Sequence, residues 1–362
     1  MNNKASLLHN ASRRDWRNWQ WQFRNRITKL EDIASFYGRK ATAWENLKKA
    51  AAIYPLAITP YYFSLINEDN ENDPIRSQCF PDEREITFAG GSADPLLEDS
   101  YMPAPKLVRR YPDRALAIVT ETCATYCRHC NRKRYWSVPA SGKLQKRIQR
   151  MINYVAATPQ IREVIISGGD PLTLGDPVLE SLLKSFRAIP HVEILRLGSR
   201  VPVTMPMRIT KDLCRMLKRC RPLWFNTQFN HPAEITSESA RACNMLLEAG
   251  IPVSNQSVLL KGVNDSASVI RDLLYSLQKI SVRPYYLFHC DPVKGCAHFR
   301  TGIAKGLTIM KKIRRQSGLS LPQYVLDVPG EEGKLPLTAI SRTAQNDLKK
   351  FQYFFDKCGQ ID

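Results

Sequence analysis

From residue 115 onward, short runs of β-branched and aromatic residues alternate with longer amphipathic stretches. The short runs predict strands at 115–120, 162–167, 193–197, 223–229, 252–259 and 282–288. The longer stretches predict helices at 143–157, 177–188, 210–220, 237–249, 267–279 and 304–317. Gly250 and Gly318 are placed to end two of these helices. Strands that alternate with helices are typical of an α/β fold with a parallel sheet.

The pattern changes at both ends of the chain. Residues 1 to about 105 are polar and predict helices, and Tyr324-Val-Leu-Asp predicts one more extended run near the end. We therefore divide the chain into a mainly helical N-terminal extension (1–107), a core (108–320) and a short C-terminal segment (321–362). Because the core holds six consecutive βα units, it favours an open, partial (β/α)6 barrel over a closed eight-unit barrel.

Polar clusters coincide with the carboxyl ends of the predicted strands. Five follow a strand, and Gln256 lies within the last turns of its strand. The five are 123–130, 167–170, 199–200, 228–231 and 290–291. Parallel α/β folds carry their chemistry at the carboxyl ends of the strands, so these clusters predict one shared site.

Composition narrows the class of protein. The 53 Lys and Arg against 34 Asp and Glu give a net charge of +19, but these cations are dispersed along amphipathic helices without a nucleic-acid motif. We interpret them as a solvated basic surface. No segment approaches the ~20 apolar residues of a membrane span, and the first residues lack the apolar centre of a signal peptide. Ten cysteines scattered through such a chain predict reduced thiols and a cytoplasmic protein.

Three of these cysteines form the strongest motif, Cys123-Ala-Thr-Tyr-Cys127-Arg-His-Cys130. Three thiolates on one loop can each bind one iron of a 4Fe–4S cluster and leave the fourth iron open. An open iron can chelate S-adenosylmethionine, and electron transfer from the cluster then releases a 5′-deoxyadenosyl radical. The alternatives are a zinc site with His129 as fourth ligand and a loop that binds no metal.

Around this motif the chain resembles the lysine 2,3-aminomutase family of radical S-adenosylmethionine enzymes. The resemblance covers nearly the whole chain, and its motifs together are highly specific. They lie at 16–27, 72–76, 110–114, 123–132, 167–171, 229–232, 255–260, 298–300 and 333–334. The fold that it implies is a partial radical-SAM barrel.

The resemblance also implies which residues hold the cofactors. Ser167, Gly168, Gly169, Asp170 and Gln256 match positions that contact S-adenosylmethionine. Two glycines in the first group allow backbone to approach a ligand closely.

Lys334 matches the lysine that forms a Schiff base with pyridoxal phosphate. Arg110, Tyr111 and Arg114 match the stretch that holds its phosphate, and guanidinium groups suit phosphate oxygens.

Substrate choice is expected to depend on three further residues. Arg132 matches the arginine that pairs with the substrate carboxylate, and Asp291 and Asp327 match the aspartates around the side-chain ammonium of lysine. Two carboxylates suit a cation and repel an acidic side chain, which argues against a glutamate-specific enzyme. The resemblance therefore implies conversion of L-lysine to β-lysine by migration of the α-amino group.

The chain departs from the family in three places. Gln228 stands where histidine is common, and the lysine loop carries Glu331 and Glu332, which could alter cofactor affinity. Only Cys358 is found where many members have a cysteine cluster for zinc between subunits, so we expect no such zinc site. The sequence therefore does not decide whether the protein forms a homo-oligomer.

Several functions remain alternatives. These are an arginine 2,3-aminomutase, an enzyme that supplies β-lysine for modification of a translation factor, and a non-catalytic iron–sulfur or zinc protein that binds nucleic acid. For the enzyme, we expect a small amino acid substrate and a reducing partner such as flavodoxin or ferredoxin.

Overall fold

The computed structural model describes residues 11–37, 41–136, 144–330 and 333–337. Its central feature is a curled sheet of nine strands that lie in chain order from β1 to β9. Strands β2 to β8 run parallel, and β1 and β9 pair antiparallel at the two edges. The strands are β1 Leu107–Tyr111, β2 Arg114–Ile118, β3 Glu163–Ser167, β4 Ile194–Gly198, β5 Leu223–Thr227, β6 Val253–Leu259, β7 Arg283–His289, β8 Gln323–Asp327 and β9 Lys334–Pro336. This open sheet confirms the predicted partial barrel.

Helices connect the parallel strands and cover the outer face of the sheet. They are α7 Leu144–Ala156, α8 Asp176–Arg187, α9 Val201–Thr204, α10 Lys211–Arg219, α11 Ser237–Glu248, α12 Ala267–Lys279 and α13 Ile303–Ile313. In α8, Leu179, Leu182, Leu183 and Phe186 are buried at the spacing of one helix face. Burial of each such side chain contributes roughly 1.5–3 kcal/mol to the free energy of folding, relative to leaving it exposed.

The N-terminal part consists of short helices that pack against the barrel. They are α1 Arg13–Trp16, α2 Trp19–Arg24, α3 Ala41–Ile53, α4 Pro60–Ser64, α5 Pro74–Cys79 and α6 Arg84–Thr87. Tyr62 and Phe63 of α4 belong to the same buried cluster as Leu213 and Leu217 of α10. Ser92 also forms a bridge with Val293, just after β7. The division of the chain into three parts at residues 107 and 320 stays a prediction. Most of the predicted C-terminal part, residues 338–362, lies outside the described residues.

Alternation along the strands gives the sheet two chemically different faces. Ile166, Leu197 and Phe225 are buried toward the helices, whereas their neighbours face a central cavity. The inward side chains include Ser167, Arg196, Asn226, Gln256 and Phe288. The inner face can therefore carry polar groups without disturbing the apolar outer layer.

Two predictions about element ends need correction. The edge strands β1 and β9 were not predicted, because two adjacent arginines interrupt the apolar pattern of Leu-Val-Arg-Arg-Tyr and β9 has only three residues. Gly318 does not end a helix, since α13 ends at Ile313. Gly250 does: its φ is +71°, and its N–H and that of Ile251 donate to the carbonyls of Leu247 and Leu246.

No helix in the described part of the chain is both long and apolar enough to cross a membrane.

The two glycines provide a matched stability test. Gly250→Ala forces a left-handed residue to carry a Cβ that would meet the Arg221 guanidinium, so we expect the free energy of unfolding to fall by about 1–2 kcal/mol. Gly318→Ala is the control, because nothing lies within 4 Å of an added Cβ there. Urea unfolding of both variants measures the difference, and an equal effect at the two positions would contradict the assignment.

Candidate active site

A single cavity of about 420 Å³ lies on the inner face of the sheet, toward the carboxyl ends of the parallel strands. Every site residue predicted from the sequence lines it. They are Arg110, Tyr111, Arg114, Cys123, Cys127, Cys130, Arg132, Ser167, Gly168, Gly169, Asp170, Gln256, Asp291, Asp327 and Lys334. The fold thus brings them together, while the role of each stays a prediction.

The three cysteines lie on the loop after β2, and Cys127 and Cys130 face hydrogen-bond donors. Nη1 of Arg200 lies 2.7 Å from Sγ of Cys127, and the backbone N–H of Arg132 lies 3.4 Å from Sγ of Cys130. The N–H of Cys130 also donates to the carbonyl of Cys127 at 2.8 Å, which closes the turn between these two thiols. Donors of this kind stabilise negative charge on sulfur, so the loop fits thiolate ligands of a cluster.

Burial disfavours charge on the free thiols. It raises the pKa of Cys130 to about 12, with the neighbouring Cys127 adding to the shift, and raises the pKa of Cys123 well above its usual range. Binding of a cluster would therefore release protons from these cysteines.

One ring nitrogen of His129 is not free to bind a zinc ion. Its Nε2 lies 3.2 Å from Nε2 of Gln228 and 3.3 Å from Nδ2 of Asn230, so that ring nitrogen is already engaged by protein amides. Within the described ranges, no three His, Cys, Asp or Glu side chains are arranged to hold a single metal ion.

A buried ion cluster supports the cysteine loop from behind. Glu85 of α6 accepts bonds from Arg128 Nε and Nη2 at 2.8 and 2.6 Å and from Lys133 Nζ at 2.8 Å. All three side chains are buried. Burial alone would raise the pKa of Glu85, but the charges of Arg128 and Lys133 outweigh it and lower that pKa. Sequence analysis missed this cluster, since Glu85 lies about 40 residues before its partners.

Arg200 is a second residue whose importance the sequence did not reveal. Its buried guanidinium contacts Cys127 and also donates to Gln78 Oε1 and Glu234 Oε1, both at 2.6 Å. The position of Ser199-Arg200 at the end of β4 was the only available signal. Arg200 thus joins the cysteine loop to the N-terminal part and to the segment after β5.

The Gly-Gly-Asp turn after β3 fastens neighbouring loops. A Cβ on Gly168 or Gly169 would meet the backbone of Thr120 or of Glu121 and Thr122, directly before the cysteines. Asp170 accepts bonds from Ser199 Oγ and the N–H of Arg200, both at 2.8 Å. The glycines allow the close approach of two loops, and the aspartate positions the loop after β4.

Lys334 lines the same cavity and lies at the start of β9. Its Nζ is 3.3 Å from Oδ2 of Asp327, and the ring centroids of Tyr111 and Phe288 lie 5.7 and 5.8 Å from Nζ. Arg114 lies over the ring of Tyr111, with its guanidinium carbon 4.0 Å from the ring centroid. An amine among aromatic rings and cations fits a planar, phosphorylated aldehyde cofactor.

Arg110 lines the cavity and also joins β1 to the segment that follows β8. It donates to Oδ1 of Asp327 at 3.1 Å and to the carbonyls of Val328 and Gly330. These bonds fasten the segment before Lys334 to β1. Glu331 and Glu332 lie outside the described residues, as does Cys358.

The two aspartates differ in their partners. Asp327 contacts two cations, whereas Asp291 accepts one bond from Asn131 at 3.1 Å and its buried Oδ1 has no hydrogen-bond partner in the described part of the chain. Burial, reinforced by the charge of Asp327, raises the pKa of Asp291 to about 7.

Arg132 also lines this region. Glu98 accepts from its Nε and Nη2 at 3.0 and 2.6 Å.

Removal of Glu85 tests the support of the cysteine loop. In Glu85→Ala, Arg128 and Lys133 stay buried without a carboxylate, and loss of one partner from a buried ion pair costs about 3–5 kcal/mol. We expect a fall of that size in the free energy of unfolding in urea and less iron per chain after reconstitution. Glu45→Ala, which removes an exposed partner of Lys48, should change neither quantity. Unchanged stability in Glu85→Ala would show that the loop does not need this carboxylate.

Comparison with known proteins identifies the family. The radical SAM superfamily pattern matches residues 117–274. An L-lysine 2,3-aminomutase from Acetoanaerobium sticklandii is 46% identical over 96% of this chain and 85% of that protein. An L-lysine 2,3-aminomutase from Clostridium subterminale is 45% identical, covering 93% and 82%, and a glutamate 2,3-aminomutase from Clostridioides difficile is 43% identical, covering 92% and 79%.

Among solved structures, a radical SAM methyltransferase from Sphaerobacter thermophilus covers 60% of this chain and 68% of its own, with a TM-score of 0.42 and 17% identity. The aminomutases are isomerases, and radical SAM enzymes use a 4Fe–4S cluster and S-adenosylmethionine. Identity above 40% across most of both sequences places the chain in the lysine 2,3-aminomutase family of radical S-adenosylmethionine enzymes.

Proposed function

We propose that this radical SAM aminomutase converts L-lysine to β-lysine and uses pyridoxal phosphate bound to Lys334. The observation that carries the substrate assignment is the unpartnered, buried Oδ1 of Asp291 in a cavity that also contains Asp327. A carboxylate in that position is complementary to a cationic side chain and would repel an anionic one.

The charges at this end of the cavity support a basic substrate. Asp327 is already neutralised by Arg110 and Lys334, whereas the nearest polar partner of Asp291 is the neutral amide of Asn131. The rise of the Asp291 pKa from 3.8 to about 7 corresponds to roughly 4 kcal/mol against its charged form. An ammonium group of the substrate would recover part of that energy, while the carboxylate of glutamate would add to the repulsion.

Arg132 is proposed to bind the substrate carboxylate. Glu98 engages its Nε and Nη2, so a second carboxylate would meet the guanidinium from its Nη1 side. Glu98 also balances the charge of Arg132 before substrate arrives. Arg132 and Asp291 both line the cavity, and an extended amino acid with a cationic side chain has opposite charges to offer them.

The residues around Lys334 would hold pyridoxal phosphate. Lys334 would bind it covalently through Nζ, and Arg114 and Tyr111 would contact its phosphate. Arg110 would add to this contact while it fastens the loop before Lys334. When bound, the cofactor supplies a π system that stabilises a radical on neighbouring carbons.

Cys123, Cys127 and Cys130 would bind three irons of the cluster. Ser167, Gly168, Gly169, Asp170 and Gln256 would line the site for S-adenosylmethionine. Of these, Asp170 acts through its bonds to the loop after β4, as its contacts with Ser199 and Arg200 indicate.

Product analysis tests the proposal. The anaerobically reconstituted protein, supplied with pyridoxal phosphate, S-adenosylmethionine and dithionite, should form β-lysine from L-lysine in preference to products from L-arginine or L-glutamate. β-Arginine as the main product would move the substrate assignment to the guanidinium. Formation of β-glutamate would contradict the charge argument for Asp291.

Lys334→Ala should abolish turnover, because no other amine would hold pyridoxal phosphate at this position. Iron content and the absorbance of the cluster should stay as in the native protein. Lys305→Ala, an exposed lysine on α13, is the control and should keep full activity. Normal turnover in Lys334→Ala would overturn the assignment of the cofactor lysine.

The pH dependence of kcat/KM for lysine tests Asp291. Its pKa of about 7 means that the free enzyme loses this charge as the pH falls below 7, so kcat/KM should decrease by up to tenfold per pH unit there. Asp291→Asn should lower kcat/KM by about 10²–10³-fold, the loss expected when one partner of a buried charge pair is removed, and should remove this limb. The exposed Asp212→Asn is the control. An unchanged profile in Asp291→Asn would exclude Asp291 as the titrating group.

A further inference from the structure

His129 lies between two of the three cysteines and is not a metal ligand in the proposed site. Its side chain is 6% exposed. A ring nitrogen that accepts a hydrogen bond carries no proton, so the bonds around the imidazole determine which of its nitrogens is the donor.

The contacts of Nε2 decide which nitrogen carries the proton. Nδ2 of Asn230 lies 3.3 Å from Nε2 of His129, and the orientation of this amide is fixed because Asn230 Oδ1 accepts from the N–H of Val258 at 2.9 Å. The same Nδ2 also donates to Oε1 of Gln78 at 2.9 Å. Turning the amide around would break the bond to Val258 and bring two acceptors together.

Gln78 Oε1 is in turn fixed as an acceptor, because Arg200 donates to it. This oxygen therefore accepts from both Arg200 and Asn230, which agrees with the amide orientation that places Nδ2 of Asn230 next to His129. Gln228 Nε2 approaches the same ring nitrogen at 3.2 Å. Nε2 is therefore the acceptor, and the proton lies on Nδ1.

The Nδ1 atom is buried and has no hydrogen-bond partner among the described residues. A buried N–H without a partner costs about 1–3 kcal/mol, so such a donor calls for an acceptor. His129 lines the cavity together with Cys123, Cys127 and Cys130, and the edge of its ring meets Phe299 at a centroid distance of 6.1 Å.

We propose that Nδ1–H of His129 donates a hydrogen bond to a sulfur of the iron–sulfur cluster, and that Asn230 and Gln228 hold the imidazole in the required tautomer. This inference depends on the cluster that the family uses and is independent of which amino acid is the substrate. It makes His129 a positioning and tuning residue, alongside the contact between Arg200 and Cys127.

The expected effect concerns the reduction potential of the cluster. Hydrogen bonds to cluster sulfurs stabilise the reduced form, which carries one more negative charge, and so raise the potential. The presence of Gln228 strengthens the argument in this chain, since a histidine at that position could either donate to or accept from His129.

Two substitutions separate the donor from the bulk of the ring. In His129→Asn the side-chain amide nitrogen can take the place of Nδ1–H, whereas His129→Leu offers no donor. The midpoint potential, measured by potentiometric titration with EPR detection at equal iron content, should be retained in His129→Asn and shifted to a lower value in His129→Leu. An unchanged potential in His129→Leu would overturn the proposal.

A spectroscopic measurement on the native protein covers the case in which His129→Leu does not bind a cluster. Proton ENDOR of the reduced cluster, without S-adenosylmethionine, should show a coupling that is lost in deuterium oxide, accompanied by a nitrogen coupling that changes with ¹⁵N-histidine. Absence of these couplings would refute the hydrogen bond. Their appearance only after S-adenosylmethionine is added would also refute it, because the donor would then face that ligand. Substrate turnover is not measured, so failure of the lysine assignment leaves this test intact.

Discussion

The pairing of Glu85 with Arg128 and Lys133 is the interaction on which the active-site geometry depends. The cysteine loop and the turn after it place two cations in a buried region, and unpaired buried charges would destabilise the loop there. The compensating carboxylate comes from α6 in the N-terminal part. Two backbone hydrogen bonds also join the cysteine loop to the N-terminal part. The N–H of Arg128 donates to the carbonyl of Gln78, and the N–H of Tyr126 donates to the carbonyl of Ala57. The N-terminal helices are therefore part of the wall of the site.

The loops that line the cavity differ in the charge that they present. Near the cysteines the protein presents donors, namely Arg200, the N–H of Arg132 and the imidazole of His129. Near Lys334 it presents the carboxylates of Asp291 and Asp327. An anionic cluster and the cationic side chain of the proposed substrate would thus each meet groups of complementary charge. The division follows from which strands supply the loops, since β2 and β4 supply the first set and β7 and β8 the second.

The sequence predicted the parallel strands and their helices because alternation and helical spacing are local patterns. It also predicted the lining of the cavity, through the rule on strand ends together with the family resemblance. It did not predict β1, because Arg109 and Arg110 interrupt the apolar alternation that is typical of a strand. It also did not predict that Arg200 contacts Cys127. Glu85, Glu98 and Asn131 were missed for a related reason. Each matters through a charge or amide partner distant in sequence, or through a side-chain direction that only the folded chain defines.

The antiparallel edge strands have a consequence for self-association. An open barrel exposes two sheet edges, and unpaired edge groups can recruit a strand from another molecule. Here β9 has three residues and ends at Pro336, while β1 is irregular between Val108 and Tyr111 and carries two arginines. Short length, proline, irregular pairing and positive charge all oppose strand addition. As far as the structure describes these two edges, the barrel can therefore stay open without presenting strands suited to aggregation.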